Sequence, residues 1–298
     1  MRLIVTGSSG FVGKNLLLYL NHKVSTINRN SLNQVSPSLL NSADAIIHLA
    51  GKAHDLKNAS NVQEYYNVNF EITKNLYNAF LESDVKKFIF ISSVKATADV
   101  VPDVLYEDIK PDPQTHYGKS KLMAEEYIQS QPLAEGKSYY ILRPCMIHGP
   151  GNKGNLNLLF KFVKKGIPYL LAGFNNKRSF LSVENLCFII NELITRDDIP
   201  TGIYHVADDI ALSTNAVVTI LASSLNSKPK LFKISPVIVK FLAKVGDHLR
   251  LPLTTERLNK LTESYVVSNE RIKKALNKEL PLTAIEGLKI TADSFNKD

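Results

Sequence analysis

Leu3-Ile4-Val5-Thr6-Gly7-Ser8-Ser9-Gly10-Phe11-Val12-Gly13 is the stretch from which the fold is read. A short apolar run ends in glycines, and a helical pattern follows over 11–20. Gly7 permits a tight turn, Gly10 lets the backbone approach a pyrophosphate, and Gly13 lets the helix pack on the sheet. The anion would sit at the helix N-terminus, where free N–H groups and the helix dipole favour negative charge. Gly7, Gly10, Phe11, Val12 and Gly13 are therefore expected to bind a dinucleotide.

Outward from this loop, strand-like and helix-like patterns alternate. Short apolar runs fall at 24–27, 45–49, 87–91 and 139–142, with helical patterns at 65–81 and 117–129. In the first of these helices Val68, Ile72, Leu76 and Phe80 recur every fourth residue. The alternation predicts an α/β fold, a doubly wound parallel sheet of Rossmann type with helices on both faces. Proline and glycine gather over 144–154 and punctuate the chain there. The expected division is an NAD(P)-binding domain over 1–150, to which 177–206 return, and a smaller, mostly helical substrate lobe over 151–298. A carboxylate at the end of the second strand would bind the adenosine ribose, but the chain has Asn28-Arg29-Asn30. No carboxylate there repels a 2′-phosphate, and Arg29 offers a partner for one. Asn28 and Arg29 are thus expected to meet the cofactor, with NADP(H) favoured and NAD(H) possible. The alternative is that Arg29 is a solvated surface charge.

Composition narrows the function classes. With 44% hydrophobic and 21% charged residues, the 298-residue chain is too apolar for disorder. The net charge of +8 favours an anionic partner without naming it. No basic stripe with interleaved aromatics is present, so nucleic acid is not expected as a partner. Cys145 and Cys187 make no disulfide framework and fit a reducing, cytoplasmic compartment. The first apolar run is too short for a signal peptide, and no stretch approaches the roughly 18 apolar residues that span a bilayer. No stable membrane insertion is expected. The stretch from Val237 to Ala243 is amphipathic and broken by Lys240; it reads as a core-facing helix, with a membrane surface or partner as the other option. No His, Cys or acidic pair shows metal-ligand spacing, so no metal is expected.

Tyr117-Gly118-Lys119-Ser120-Lys121 places a phenol and an amine one helical turn apart, on one face. A lysine cation beside a phenol stabilises the phenolate and lowers the tyrosine pKa. A phenol so tuned can pass a proton to or from a carbinol oxygen. Ile91-Ser92-Ser93 ends the strand over 87–91, and ligands sit at the carboxyl ends of parallel strands. A hydroxyl there can hold the same substrate oxygen.

At these residues the sequence resembles the extended short-chain dehydrogenase/reductases, in the branch of nucleotide-sugar epimerases and dehydratases. The resemblance is carried by the glycine loop, His48-Leu49-Ala50-Gly51, Val68-Asn69-Phe70-Glu71, Phe88 to Ser93, Tyr117 to Lys121, Leu142-Arg143-Pro144 and Arg178 to Val183. It implies that Ser93, Tyr117 and Lys121 are catalytic. It implies cofactor contacts from Ala50, Gly51, Asn69 and Pro144, together with Tyr117 and Lys121. Ser93, Met146, the Asn155-Leu156 pair and Arg178 would contact a UDP-sugar substrate, Arg178 at the diphosphate. Pairing of two copies through the helices over 65–81 and 117–129 is implied as well.

Departures from the family pattern select among its reactions. Val94 and Lys95 stand where the dehydratases carry an acidic pair, which argues against dehydration. Met146 stands near the place of an amide that contacts substrate in UDP-galactose-type epimerases. The segment between the second and third strands is short, and the usual adenine-contacting Asp is not visible. The Ser-Ser-Val-Lys run and the loop over 149–155 look more like reductases of 4-keto-6-deoxy UDP-amino sugars. The leading expectation is an NADPH-dependent reductase at C4 of a UDP-sugar. The alternatives are a 4-epimerase with tightly bound NAD and a nucleotide-binding module without turnover. Lys95 either contacts the sugar or is a solvated loop charge.

Overall fold

The computed structural model describes residues 1–29, 31–52, 61–249 and 253–296; Asn30 lies outside them. Strands β1 (Arg2–Thr6), β2 (Lys23–Ile27), β3 (Ala45–His48) and β4 (Lys87–Ile91) lie in the N-terminal half, with helices α1 (Phe11–Tyr19), α2 (Pro37–Leu40), α3 (Val62–Tyr66) and α4 (Ile72–Glu82). Strand β5 (Val104–Leu105), helix α5 (His116–Ser130), strands β6 (Ser138–Pro144) and β7 (Met146–His148), and helix α6 (Asn155–Lys164) follow. Strand β8 (Phe180–Ser182), helix α7 (Val183–Thr195) and strand β9 (Gly202–Val206) lead into the helical C-terminal region. That region holds α8 (Thr214–Ser224), α9 (Pro236–Leu249), α10 (Thr255–Thr262), β10 (Val266–Val267), α11 (Glu270–Leu276) and α12 (Ala284–Phe295).

Six strands form one parallel sheet in the order β2-β1-β3-β4-β6-β9. Their side chains alternate between two cores, because successive strand residues face opposite sides. Leu3, Val5, Ile47, Ile89 and Leu142 pack with Leu186, Ile190 and Leu193 of α7. Ile4, Ile46, Phe88, Phe90 and Ile141 pack with Leu76 and Phe80 of α4 and Ile128 of α5. The sheet is thus covered on both faces, and each buried Leu, Ile or Phe contributes about 1.5–3 kcal/mol. Lys87, on a fully buried strand, donates to the carbonyls of Leu193, Ile194 and Arg196. It thereby meets the carbonyl end of α7 with positive charge.

The strand order refines the expected doubly wound sheet. In the common 3-2-1-4-5-6 order another strand lies outside the second one; here β2 is the edge. The segment between β2 and β3 holds only short helical turns, too little chain for a further strand and its return helix. The chain reverses direction across the sheet between β1 and β3, and such switch points are where ligands bind. Leu156, Phe160, Val217, Leu221, Leu288 and Phe295 form a separate core from α6, α8 and α12. Tyr265, Val267 and Ile272 instead join the α7 side of the main sheet, bringing β10 back beside β5.

Candidate active site

Four strands deliver the site. β1 ends at the glycine loop, β3 at Leu49-Ala50-Gly51, β4 at Ser92-Ser93, and β6 at Pro144-Cys145. Gly7 has φ +70°, and a Cβ built on it would lie 2.6 Å from the Ala50 nitrogen. A Cβ on Gly13 would lie 2.4 Å from the Gly7 oxygen. Both positions therefore require glycine for the turn to close. Gly10 precedes the first turn of α1, and no side chain caps that turn. The loop gives the uncovered N–H groups and close backbone approach that a pyrophosphate needs. The residues present fit a dinucleotide.

Behind the loop a relay of buried polar groups fixes the strand ends. The Ala50 N–H donates to Thr6 Oγ1 (3.2 Å), which lies 2.7 Å from His48 Nδ1. His48 Nε2 lies 2.9 Å from Thr73 Oγ1, whose hydroxyl donates to the Asn69 carbonyl (2.8 Å). Thr73 has spent its proton, so Nε2 is the donor and Nδ1 the acceptor. This is a neutral imidazole, and burial holds the His48 pKa down to about 3.

Asn69 lies in a π-helical turn, Asn67–Glu71, between α3 and α4. Its side chain accepts from the Lys52 N–H (2.7 Å) and donates to the Lys52 carbonyl (3.1 Å) and Ser120 Oγ (3.0 Å). Ser120 Oγ donates in turn to the Tyr117 carbonyl (2.8 Å). The expected cofactor residue thus clamps the Gly51-Lys52 turn to the first turn of α5.

Ser93, Tyr117 and Lys121 are brought together. The Tyr117 hydroxyl shares a hydrogen bond with Ser93, whose Oγ accepts from the Lys95 N–H (3.2 Å). The edge of Tyr65 packs 6.4 Å from the Tyr117 ring, centroid to centroid. Lys121 is 4% exposed, lies over Phe90 and donates to the Ile91 carbonyl (2.9 Å). The expectation that Lys121 lowers the Tyr117 pKa is not met: the phenol lies above its ordinary value. Burial raises the phenol, against the lowering effect of the Ser93 hydrogen bond. Burial also pulls Lys121 down to about 8, opposed by the nearby Glu125 carboxylate.

Two clefts meet here. One, of about 250 Å³, runs from Val12, Gly51 and Lys52 past Tyr117 and Lys121 to Pro144 and Cys145. The other, of about 280 Å³, is lined by Lys95, Met146, Arg178, Ser179, Glu263 and Tyr265. Ser93, Pro144 and Cys145 belong to both. Burial pushes the Cys145 thiol well above its usual range, so it is an inert wall.

In the second cleft Lys95 stacks 4.1 Å from the Tyr265 ring centre and donates to the Asp99 carbonyl (2.8 Å). It is a wall residue of the cleft rather than a solvated loop charge. Arg178 donates to the carbonyls of Lys260 (2.5 Å) and Glu263 (3.1 Å), and its guanidinium lies 3.5 Å from the Glu263 carboxylate. Asn155 and Leu156 stand elsewhere: Asn155 is exposed in the first turn of α6, and Leu156 is buried in the lobe's own core. Glu263 and Tyr265 escaped the sequence reading, since nothing local marks them.

At the other end, Arg29 lies 3.4 Å from the carboxylate of Glu64, which also accepts from Lys52 Nζ (2.6 Å). These bonds, Lys52 foremost, hold the Glu64 pKa below its ordinary value. The tertiary fold thus supplies next to Arg29 a carboxylate that the end of β2 lacks. Among the described residues no group of three or more His, Cys, Asp or Glu is placed to hold a metal. No helix there is long and apolar enough to cross a membrane.

Comparison with known proteins gives the following. The model of the NAD dependent epimerase/dehydratase family matches residues 3–207. A UDP-glucose 4-epimerase of Vibrio cholerae is 29% identical over 317 aligned positions, covering 98% of this chain and 95% of that protein. Two solved structures share the fold. The UDP-glucuronic acid 4-epimerase of Bacillus cereus in complex with NAD superposes with TM-score 0.74 at 18% identity, covering 100% of this chain and 99% of that one. RMD of Pseudomonas aeruginosa, complexed with NADPH, superposes with TM-score 0.74 at 21% identity, with the same coverage.

Proposed function

The chain belongs to the NAD dependent epimerase/dehydratase family, and from that premise we propose that it moves a hydride and a proton at C4 of the sugar in a UDP-sugar. The observation that carries this reading is the position of Ser93, Tyr117 and Lys121 where the two clefts meet. A bound nicotinamide dinucleotide supplies the hydride donor or acceptor. The chain supplies the rest. Gly7, Gly10, Phe11, Val12 and Gly13 hold the pyrophosphate at the start of α1. Ser93 orients the sugar oxygen, and Tyr117 gives or takes its proton. Lys121, as ammonium, balances charge on the phenolate. Lys95 and Arg178 line the substrate cleft with Glu263, which pairs with Arg178, and leave it the net positive charge that suits a diphosphate.

Between the two expected reactions, a 4-epimerase that retains NAD now stands ahead of the NADPH-dependent reductase. Glu64, paired with Lys52 and Arg29, sets beside the end of β2 a carboxylate of the kind that accepts from adenosine ribose hydroxyls. The end-to-end match to a UDP-glucose 4-epimerase supports the same order. The reductase reading keeps its support from Asn28 and Arg29 at the end of β2. Heat-denatured protein should release NAD, and UDP-glucose and UDP-galactose should interconvert without added cofactor. Release of no dinucleotide, together with oxidation of NADPH by a UDP-4-keto-6-deoxy-N-acetylhexosamine, would reverse the order.

Two smaller tests follow. Glu64→Gln frees Arg29 and removes the opposing charge, so preference should shift severalfold toward NADP(H) in competition binding; an unchanged ratio excludes Glu64 from cofactor selection. The ammonium of Lys121 exists below its pKa of about 8 and is lost above it. With Tyr117 entering as the protonated phenol, as in reduction of a 4-keto sugar, kcat/KM should therefore be flat below that pH and fall tenfold per unit beyond it. A profile flat to pH 10 would remove Lys121's charge from the mechanism.

A further inference from the structure

Helix α9 leaves a broad apolar face uncovered. Only Val239, Ala243 and Gly246 are buried along it, against Leu258 of α10. Val237 (76% exposed), Phe241 (63%) and Leu249 (66%) project outward with Ile238 and Leu242. At 100° per residue these five span one arc, with the exposed His248 inside it near Val237, and Lys240 and Lys244 border it on the side away from Leu242. Phe232, just before the helix, is also exposed. The chain around it is one-signed: residues 210–246 contain Lys228, Lys230, Lys233, Lys240 and Lys244, all exposed, and no Asp or Glu. Asp247, the first acid beyond, is spent on the Thr255 N–H (2.9 Å) and hydroxyl (2.5 Å).

We propose that this face docks the substrate lobe on the surface of an anionic phospholipid bilayer. The expectation of a core-facing helix holds only for the narrow Val239–Ala243–Gly246 stripe. An apolar arc edged by lysines is the pattern of a helix lying in the plane of a membrane interface. Its apolar side chains enter the acyl boundary while the lysines reach headgroup phosphates. Fourteen residues make about 21 Å of helix, less than the roughly 30 Å hydrocarbon core, so α9 lies on the bilayer and does not cross it. A second copy of the chain is the poorer occupant. A two-fold contact through α9 would join two faces that each carry the same positive surround of exposed lysines, and like charges across an interface are costly. Pairing through α4 and α5, implied by the family resemblance, would leave α9 free. The proposal does not depend on which reaction the site performs.

The test is co-sedimentation of the full chain with vesicles of phosphatidylcholine alone, or with about one-third phosphatidylglycerol, at low and high salt. Binding should require the anionic lipid and weaken with salt. Lys240→Gln with Lys244→Gln should lower the partition coefficient about thirtyfold, and Phe241→Ser with Val237→Ser at least tenfold, at unchanged melting temperature. Equal binding to both vesicle types, or none at low salt, overturns the proposal. So does a Phe241→Ser variant that dissociates a dimer in sedimentation velocity while partitioning onto vesicles like the parent chain.

Discussion

Tyr117→Phe is expected to lower kcat by about 10³-fold while dinucleotide affinity stays within twofold of the parent. The substitution removes one oxygen. The ring keeps its place against Tyr65, and α5 keeps its hydrogen bond from Ser120 to the Tyr117 carbonyl. What disappears is the hydroxyl that shares a hydrogen bond with Ser93 and would give or take the proton. A loss of 10³ corresponds to about 4 kcal/mol of transition-state stabilisation, the middle of the range for one positioned acid or base. The measurement is single-turnover transfer with saturating cofactor, beside a fluorescence titration of dinucleotide. A loss below tenfold would mean that another group moves the proton.

The phenol and amine were legible because four residues on a helix is a fixed geometric relation. The glycine loop was legible for the same reason: turn, close approach and helix packing each need the missing Cβ at a set spacing. The regular four-residue repeat of Val68, Ile72, Leu76 and Phe80 predicted a helix, and all four are buried. A period of four is longer than the 3.6 of an α-helix, and the chain absorbs part of the difference in the π-helical turn at Asn69.

Contacts set by tertiary packing were not legible. Glu64 meets Arg29 from 35 residues away, across a connection the local pattern does not constrain. Tyr265 donates to the Ala98 carbonyl from 167 residues away, which makes it a wall of the second cleft. The expected effect of Lys121 on Tyr117 failed for a physical reason. Spacing gives proximity but not solvation, and burial acts on both groups, raising the acid and lowering the base.

Near Ser93, Tyr117 and Lys121 an ion pair joins α5 to β6, and breaking it should have the largest effect on stability. Glu125 is fully buried, and Arg143 is 2% exposed. Arg143 Nε donates to Glu125 Oε1 and Oε2 (both 3.0 Å), and Nη2 donates to Oε2 (2.5 Å). Ser92, beside Ser93, donates a further bond to the same carboxylate. Glu125→Ala leaves a guanidinium buried without its counter-charge, which costs about 3–5 kcal/mol. Replacing both partners by apolar residues, Glu125→Leu with Arg143→Met, should recover most of that loss, because the desolvation cost of two charges also disappears. A single variant that melts like the parent would show that water reaches Arg143 and the pair is not dry. The same carboxylate acts on the site, since it opposes the burial that depresses Lys121. Glu125→Gln should therefore move the basic limb of the kcat/KM profile below about pH 8. A purely structural pair would lower the melting temperature and leave that limb where it is.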